Sequence, residues 1–132
     1  MIKRSGDIVS YRLDRSRETL EEAQMLADAS RWNLCVNRLY YACFYAVSAL
    51  LARDGLASSK HAGVRSLFNR HYVKTGKVPS ELARTYNRLF ERRQEGDYID
   101  FVYFKEEDVI PWISDAGRFV QHITNLAQNE GL

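Results

Sequence analysis

Arg93 is the residue whose surroundings in the sequence point most clearly to chemistry. A helix over residues 80–95 would place Arg93 near the middle of an apolar stripe about 80° wide. An arginine on a buried face needs a counter-charge or a bound anion, because burying an unpaired charge costs several kcal/mol. Asp97 is a local partner for a structural ion pair, and the alternative is a guanidinium that faces a phosphate with Tyr98 beside it. The apolar members of the stripe are Leu82, Tyr86, Leu89 and Phe90.

A second polar set lies on the predicted second helix. Asn37 and Tyr41 share one narrow face with Ser48, and Arg38 lies next to Asn37. Residues 39–51 contain no charge, so we expect this helix to be surrounded on nearly every side and its polar groups to need partners. The tyrosines are either core residues with the hydroxyl at the edge or faces on which nucleobases stack.

Lys60 and His61 lie at the predicted start of the third helix. Cationic side chains are unfavourable there because the helix dipole is positive at its N-terminus, although the free amide groups can bind an anion. The pair is therefore either a solvated helix start or a phosphate contact.

Several classes of site have no counterpart in the sequence. It contains no glycine-rich phosphate loop and no histidine or cysteine pair with metal-ligand spacing, so we predict neither a metal nor a cofactor. Cys35 and Cys43 would lie about 12 Å apart on one helix, too far for a disulfide, which suits a reducing cytoplasm. No uncharged apolar run reaches the roughly 18 residues of a membrane span, so we expect no membrane partner.

Hydrophobic spacing and helix-end signals predict one all-α domain over residues 1–132, a bundle of about five helices. Gly55, Gly76 and Gly96 are interpreted as helix ends or turns, and residues 97–104 as an irregular aromatic connection. The predicted helices cover residues 7–29, 32–53, 60–73 and 80–95, and a fifth begins at residue 106.

The net charge of +2 conceals an uneven distribution. Residues 60–93 contain nine basic and two acidic side chains, whereas residues 94–132 contain two basic and eight acidic ones. Either oppositely charged helices pack side by side, or the basic stretch forms a face for phosphate or nucleic acid. The total charge is too close to neutral for a strong non-specific nucleic-acid binder.

Taken in order, these residues resemble the HEPN superfamily of small helical domains, over roughly residues 10–125. The resemblance is closest to small bacterial and archaeal HEPN proteins. The matching pieces are Leu20-x-x-Ala23, Asn37-Arg38-x-Tyr40-Tyr41-Ala42-x-Phe44, Lys60-His61-x-Gly63-Val64 with Phe68, Thr75-Gly76 and Arg93-x-x-Gly96-Asp97-Tyr98.

The resemblance implies an up-and-down helical bundle that forms a homodimer, with the polar motif residues meeting near the dimer cleft. Many HEPN proteins are metal-independent ribonucleases in which an arginine, followed after four to six residues by a histidine, holds the scissile phosphate. Several are toxins encoded beside a minimal nucleotidyltransferase, which neutralises them by adding AMP to a tyrosine near the motif.

This sequence departs from the ribonuclease signature, because Tyr98 occupies the position where a histidine would follow Arg93. A tyrosine has a pKa near 10 and is a poor proton shuttle at neutral pH. Arg65 and His71 fit the bare spacing, but about 240° of helical rotation separates them.

We therefore predict a homodimer that binds a nucleotide or single-stranded RNA and acts with a minimal nucleotidyltransferase partner. The alternative is a metal-independent ribonuclease toxin that uses Arg93 with Asp97, Tyr98 or His61. The residues predicted to bind the nucleotide or RNA are Asn37, Arg38, Tyr41, Lys60, His61 and Arg93.

Overall fold

The computed structural model describes residues 5–129, which form five α-helices and, within that range, no strand. The all-α prediction is therefore confirmed. The predicted domain also included residues 1–4 and 130–132, which lie outside the described residues. The helices are α1 (Ser5–Asp28), α2 (Trp32–Arg53), α3 (His61–Phe68), α4 (Ser80–Tyr98) and α5 (Glu106–Gln128).

Helix α2 is the core of the bundle, as the uncharged run over residues 39–51 predicted. Helices α1, α3, α4 and α5 all pack against it. By length and composition α2 could cross a membrane, but 61% of its most apolar window is buried by the rest of the protein. Its hydrophobicity therefore serves the core of the bundle.

Two buried hydroxyl groups on α1 face the core. Ser16 donates a hydrogen bond of 2.7 Å to the carbonyl oxygen of Ala42 on α2, and Thr19 donates one of 2.6 Å to the carbonyl oxygen of Arg15. Both side chains are fully buried, so each hydroxyl needs the partner it has. The apolar side chains that α1 buries beside them include Leu13, Ala23 and Ala27.

Gly96 does not end α4, which corrects the predicted boundary at residue 95. The helix continues to Tyr98, so Asp97 and Tyr98 are helical and only the segment from Ile99 onward is irregular. A Cβ on Gly96 would lie 2.7 Å from the ring of Phe104. The glycine is therefore needed for this close approach and does not terminate the helix.

The irregular segment after α4 is held against the start of α2. The side-chain amide of Asn33 donates a hydrogen bond of 2.8 Å to the carbonyl oxygen of Val102, and its oxygen accepts one of 2.9 Å from the backbone N–H of Phe104. The ring of Phe104 packs edge-on against Trp112 of α5. These contacts fix where α4 ends relative to α2, and so they position the residues that follow Arg93.

The third helix differs from its predicted range of residues 60–73. It is α-helical only over His61–Phe68 and continues as a π-helical turn over Asn69–Val73. Helix α4 begins at Ser80, as predicted, and Ile110 on α5 is 46% exposed.

Candidate functional site

Arg93 is buried in an aromatic environment. Its side chain is only 6% exposed, and its guanidinium carbon lies 4.6 Å from the ring centre of Tyr40, 5.6 Å from that of Tyr41 and 5.9 Å from that of Tyr98. The buried Nε atom has no hydrogen-bond partner, and within residues 5–129 no carboxylate lies at ion-pair distance from Arg93. The structural ion pair with Asp97 is therefore not formed, and the guanidinium lies instead among the rings of Tyr40, Tyr41 and Tyr98.

Asp97 instead belongs to a chain of polar contacts on the surface beside Arg93. Its Oδ2 atom accepts a hydrogen bond of 2.9 Å from the amide of Asn37. The oxygen of Asn37 accepts two bonds from Arg38, at 3.0 Å from Nε and 2.9 Å from Nη2. Arg38 also forms an ion pair of 3.3 Å with Glu22 on α1. These bonds fix the orientation of the Asn37 amide and the Asp97 carboxylate beside Arg93.

The half-buried ring of Tyr41 lies between two guanidinium groups. The guanidinium carbon of Arg38 is 5.1 Å from the ring centre, and that of Arg93 is 5.6 Å from it. Cation–π contacts stabilise by about 0.5–1 kcal/mol at exposed sites and about 2 kcal/mol where water is excluded. They offset part of the cost of burying Arg93 but supply no negative charge.

His61, at the start of α3, reaches the same cluster through Tyr40. Its Nδ1 atom lies 3.0 Å from the hydroxyl of Tyr40, and its ring stacks on Phe44 with ring centres 4.3 Å apart. Burial, and then the charge of Arg93, lower the pKa of His61. Burial raises the pKa of Tyr40 to about 12. Near neutral pH the bond therefore joins an uncharged imidazole to a protonated hydroxyl.

The structure brings most of the predicted site residues together. We call this group the Arg93 cluster, and its members are Asn37, Arg38, Tyr40, Tyr41, His61, Arg93, Asp97 and Tyr98. Lys60 is not brought into it, because among the described residues only its backbone forms hydrogen bonds, to Ser58 and Val64. The roles predicted for the cluster residues stay predictions.

Arg65 and His71, which match the bare ribonuclease spacing, have different neighbours. The guanidinium carbon of Arg65 lies 3.8 Å from the ring centre of Phe90. His71 lies in the π-helical turn, where its ring is 6.5 Å from that of Tyr72. Arg65 and His71 therefore pack against different aromatic residues, although their spacing in the sequence matches the ribonuclease signature.

Tyr40 is part of the motif on α2 but was not among the predicted site residues. It is fully buried, yet it contacts both His61 and Arg93 and stacks on Tyr86 with ring centres 6.1 Å apart. Its position three residues after Asn37 puts it on the same side of α2, which was the available signal.

Thiol and metal chemistry have little support in the described part of the chain. Cys35 and Cys43 are buried and unpaired. Burial raises the pKa of Cys35 to about 11 and raises that of Cys43 further, so neither thiol ionises readily. Among residues 5–129 no group of three or more histidine, cysteine, aspartate or glutamate side chains could hold a metal ion.

Comparisons with known proteins agree with this architecture. A family model of the HEPN domain matches residues 9–126. A crystal structure described as an archaeal HEPN homologue superimposes with a TM-score of 0.71 at 19% identity, covering 96% of this chain and 100% of that one. At that identity the similarity establishes the fold alone.

Curated relatives include proteins of bacteria and archaea. A UPF0332 protein of Thermotoga maritima is 49% identical over 122 residues, covering 92% of each chain. A UPF0332 protein of Gloeobacter violaceus is 34% identical over 110 residues, covering 83% of this chain and 87% of that one. A Methanocaldococcus jannaschii protein named "Putative toxin" is 30% identical over 96 residues, covering 73% of this chain and 65% of that one.

Proposed function

The chain belongs to the HEPN family, and on that premise we propose that it binds a nucleotide or single-stranded RNA through the Arg93 cluster. The observation that carries the proposal is the buried guanidinium of Arg93, which has no carboxylate partner within residues 5–129 and an unpartnered Nε atom. A phosphate group supplies both the missing charge and acceptor oxygens for the guanidinium.

Tyr98 is the cover that a ligand displaces to reach Arg93. Its ring lies 5.9 Å from the guanidinium, yet its side chain is 74% exposed. Moving this side chain costs little packing, whereas moving the fully buried Tyr40 would disturb the core. Phosphate therefore approaches from the Tyr98 side, and the half-exposed ring of Tyr41 offers a face for a base.

The function extends to a protein partner. We place the protein in a toxin–antitoxin-like pair with a minimal nucleotidyltransferase, supported by family membership and by the toxin name of the Methanocaldococcus jannaschii relative. Tyr98 is the tyrosine that such a partner would modify, because its hydroxyl-bearing ring is exposed next to Arg93. The pair acts in the cytoplasm, where Cys35 and Cys43 stay reduced.

The alternative function is a metal-independent ribonuclease, and one observation favours it. His61 and Arg93 lie on different helices but both contact Tyr40, so an imidazole is close to the guanidinium although no histidine follows Arg93 in sequence. The lowered pKa keeps this imidazole neutral, as a general base requires. In this mechanism Arg93 holds the scissile phosphate, and Asp97 and Tyr98 are further candidate catalytic residues beside His61.

The binding proposal is tested by titrating AMP and a short oligoadenylate into the purified protein and measuring heat or fluorescence anisotropy. Arg93→Ala is expected to weaken binding about tenfold or more, because it removes a charged contact to phosphate. Arg88→Ala is the matched control, since Arg88 lies on the exposed face of the same helix. Equal losses for the two variants would indicate a diffuse basic surface and contradict the proposal.

Ribonuclease activity is tested by incubating the protein with total RNA in the presence of EDTA. Cleavage that is lost in both Arg93→Ala and His61→Ala, with binding retained in His61→Ala, would establish the alternative. Cleavage that persists in both variants would come from a contaminant. Binding without cleavage would leave the first proposal in place.

An exposed apolar segment supports the homodimer that we propose as the functional form. Ile99, Phe101 and Tyr103 lie close together in sequence and are largely exposed; Phe101 is 89% exposed, with a left-handed backbone φ of 67°. Contiguous exposed apolar groups mark interaction surfaces.

Light scattering at micromolar concentration is expected to give twice the monomer mass. Phe101→Asn, which tolerates a positive φ, should weaken the dimer. Met25→Asn, at an exposed apolar side chain on α1, should leave it intact. A wild-type protein that is monomeric would contradict this part of the proposal.

A further inference from the structure

A second basic and aromatic cavity lies at the junction of α1, α2 and the loop before α3. Its volume is about 340 Å³, within the range of small-ligand sites. We call it the α1–α2 pocket, and its polar lining residues are Tyr11, Arg12, Arg15, Tyr45, Ser48 and Ser58. None of these six residues is a member of the Arg93 cluster.

Arg12 and Arg15 project from one side of α1 into this pocket. Residues three apart on a helix are neighbours, so two like charges there are unfavourable without an anion between or beside them. Arg12 donates a hydrogen bond of 3.1 Å to the carbonyl oxygen of Ser48, and within the described residues it has no carboxylate at ion-pair distance. The guanidinium of Arg12 is therefore fixed by this hydrogen bond and faces the cavity without a counter-charge.

Arg15 is positioned by an aromatic residue of α2. Its Nη2 atom lies 3.2 Å from the hydroxyl of Tyr45, and its guanidinium carbon is 5.1 Å from the centre of that ring. Its ion pair with Glu18 is long, 3.6 Å, and solvated at the carboxylate. Such a pair is weak, so most of the charge of Arg15 remains available to an anion in the pocket.

The α1–α2 pocket is continuous with the Arg93 cluster along one side of α2. The ring centre of Tyr45 lies 6.1 Å from that of Tyr41, which in turn contacts the guanidinium of Arg93. Phe44 lines the pocket and stacks on His61 of the cluster. The rings of Tyr45 and Tyr41 thus connect the guanidinium groups of Arg15 and Arg93, in the order of phosphate and base contacts that a single strand would need.

We propose that Arg12 and Arg15 form a second phosphate subsite, so that the ligand of this protein is a single strand of RNA and not a free mononucleotide. This inference rests on the proposed function at Arg93. One phosphate binds Arg93, a second binds the Arg12 and Arg15 pair, and the intervening bases contact Tyr41 and Tyr45. The alternation of guanidinium groups and aromatic faces matches the phosphate and base chemistry of a single strand.

The test compares AMP with an octa-adenylate for the wild-type protein and for the double variant Arg12→Gln/Arg15→Gln. AMP binding should be unchanged, because it engages Arg93. Octa-adenylate binding should weaken about tenfold or more, and the slope of log K against log salt should fall by about 0.7, because one phosphate contact is lost. Arg17→Gln is the matched control, since Arg17 is exposed on α1 and pairs with Asp14.

The outcomes separate this inference from the proposed function. If the double variant behaves like Arg17→Gln with octa-adenylate, the subsite is rejected, whereas loss of both ligands in Arg93→Ala still supports the proposed function. If wild-type protein binds neither ligand, both are rejected. If the double variant loses helicity by circular dichroism, Arg15→Gln alone replaces it, and a loss of octa-adenylate affinity no larger than that of Arg17→Gln overturns the inference.

Discussion

The hydroxyl of Tyr40 lies 3.0 Å from Nδ1 of His61, and this bond connects the core helix α2 to the first residue of α3. The guanidinium carbon of Arg93 lies 4.6 Å from the Tyr40 ring on the same side of the core. A proton on His61 would place a second positive charge next to a guanidinium that already has no carboxylate partner in the described chain. The neutral form of His61 is therefore favoured at this position.

The first prediction concerns the protonation of His61. Burial, and secondarily the charge of Arg93, lower its pKa below the ordinary 6.5 in the folded protein. Between the folded pKa and 6.5 the unfolded chain binds the proton more readily, so the free energy of unfolding should decrease as pH falls below about 6.5. An NMR titration of the imidazole ring should give a pKa below 6.5, and a higher value in Arg93→Met.

His61→Gln should flatten the pH dependence of stability between about pH 5 and 7. A pKa of His61 at or above 6.5, unchanged in Arg93→Met, would contradict the electrostatic link between His61 and Arg93.

The second prediction concerns stability in Arg93→Met. Methionine has similar volume and no charge, so the variant removes a desolvation cost of several kcal/mol. It also removes cation–π contacts of at most about 2 kcal/mol each. We expect the free energy of unfolding either to increase or to decrease by no more than about 1 kcal/mol. Phosphate binding should be lost in the same variant. Denaturant midpoints at unchanged slope measure the change.

A loss of about 3–5 kcal/mol in Arg93→Met would mean that Arg93 is a structural residue whose partners the protein cannot replace. Tyr86→Phe supplies a comparison in the same packing layer, because the buried hydroxyl of Tyr86 also has no hydrogen-bond partner. Removing that hydroxyl should likewise cost little or stabilise the fold.

The third prediction concerns Asp97→Ala. Because Asp97 is exposed and bonded to Asn37 instead of Arg93, we expect a loss of less than about 1 kcal/mol. Asp54→Ala is the contrasting variant, since Asp54 accepts a hydrogen bond from the hydroxyl of Tyr72, whose side chain is only 1% exposed. Without the carboxylate, that hydroxyl keeps only a long bond of 3.5 Å to the carbonyl oxygen of Leu50, which should cost about 1–3 kcal/mol. A loss for Asp97→Ala as large as that for Asp54→Ala would restore a structural role for Asp97.

The sequence predicted both ends of α2, because more than one feature of the sequence indicates this helix. The uncharged run over residues 39–51 marks the core, and Asp54 with Gly55 marks the end. The burial of Arg93 was likewise predictable, since the 3.6-residue period places it on the apolar side of α4. Both predictions depend only on local periodicity.

The partners of these residues were harder to predict, because they come from distant parts of the chain. Local reasoning paired Arg93 with Asp97, but Asn37, sixty residues earlier, forms the hydrogen bond with Asp97. In the sequence Tyr40 is an ordinary core aromatic, and only the packing of α3 shows that His61 contacts its hydroxyl. Such pairings depend on helix packing, which periodicity does not specify.

Gly96 was misinterpreted for a related reason. A glycine near a helix end usually allows a left-handed turn, but Gly96 lies within α4. A Cβ there would lie 2.7 Å from one atom of the Phe104 ring and 3.4 Å from another. That ring cannot move freely, because Trp112 packs against it and Asn33 holds its backbone. We expect Gly96→Ala to lower the free energy of unfolding by about 1–3 kcal/mol, as overpacking does in well-packed cores.

Gly117→Ala is the matched control for Gly96→Ala, because Gly117 also lies inside a helix but a Cβ added there would meet nothing within 4 Å. There the substitution should stabilise the protein by about 0.5–1 kcal/mol, through the lower backbone entropy of alanine in the unfolded chain. Hydrogen exchange should also be faster at the backbone N–H of Phe104 in Gly96→Ala, because displacing the ring weakens its bond to Asn33. If both glycine variants gain stability equally, the contact between Gly96 and Phe104 is not what requires a glycine at this position.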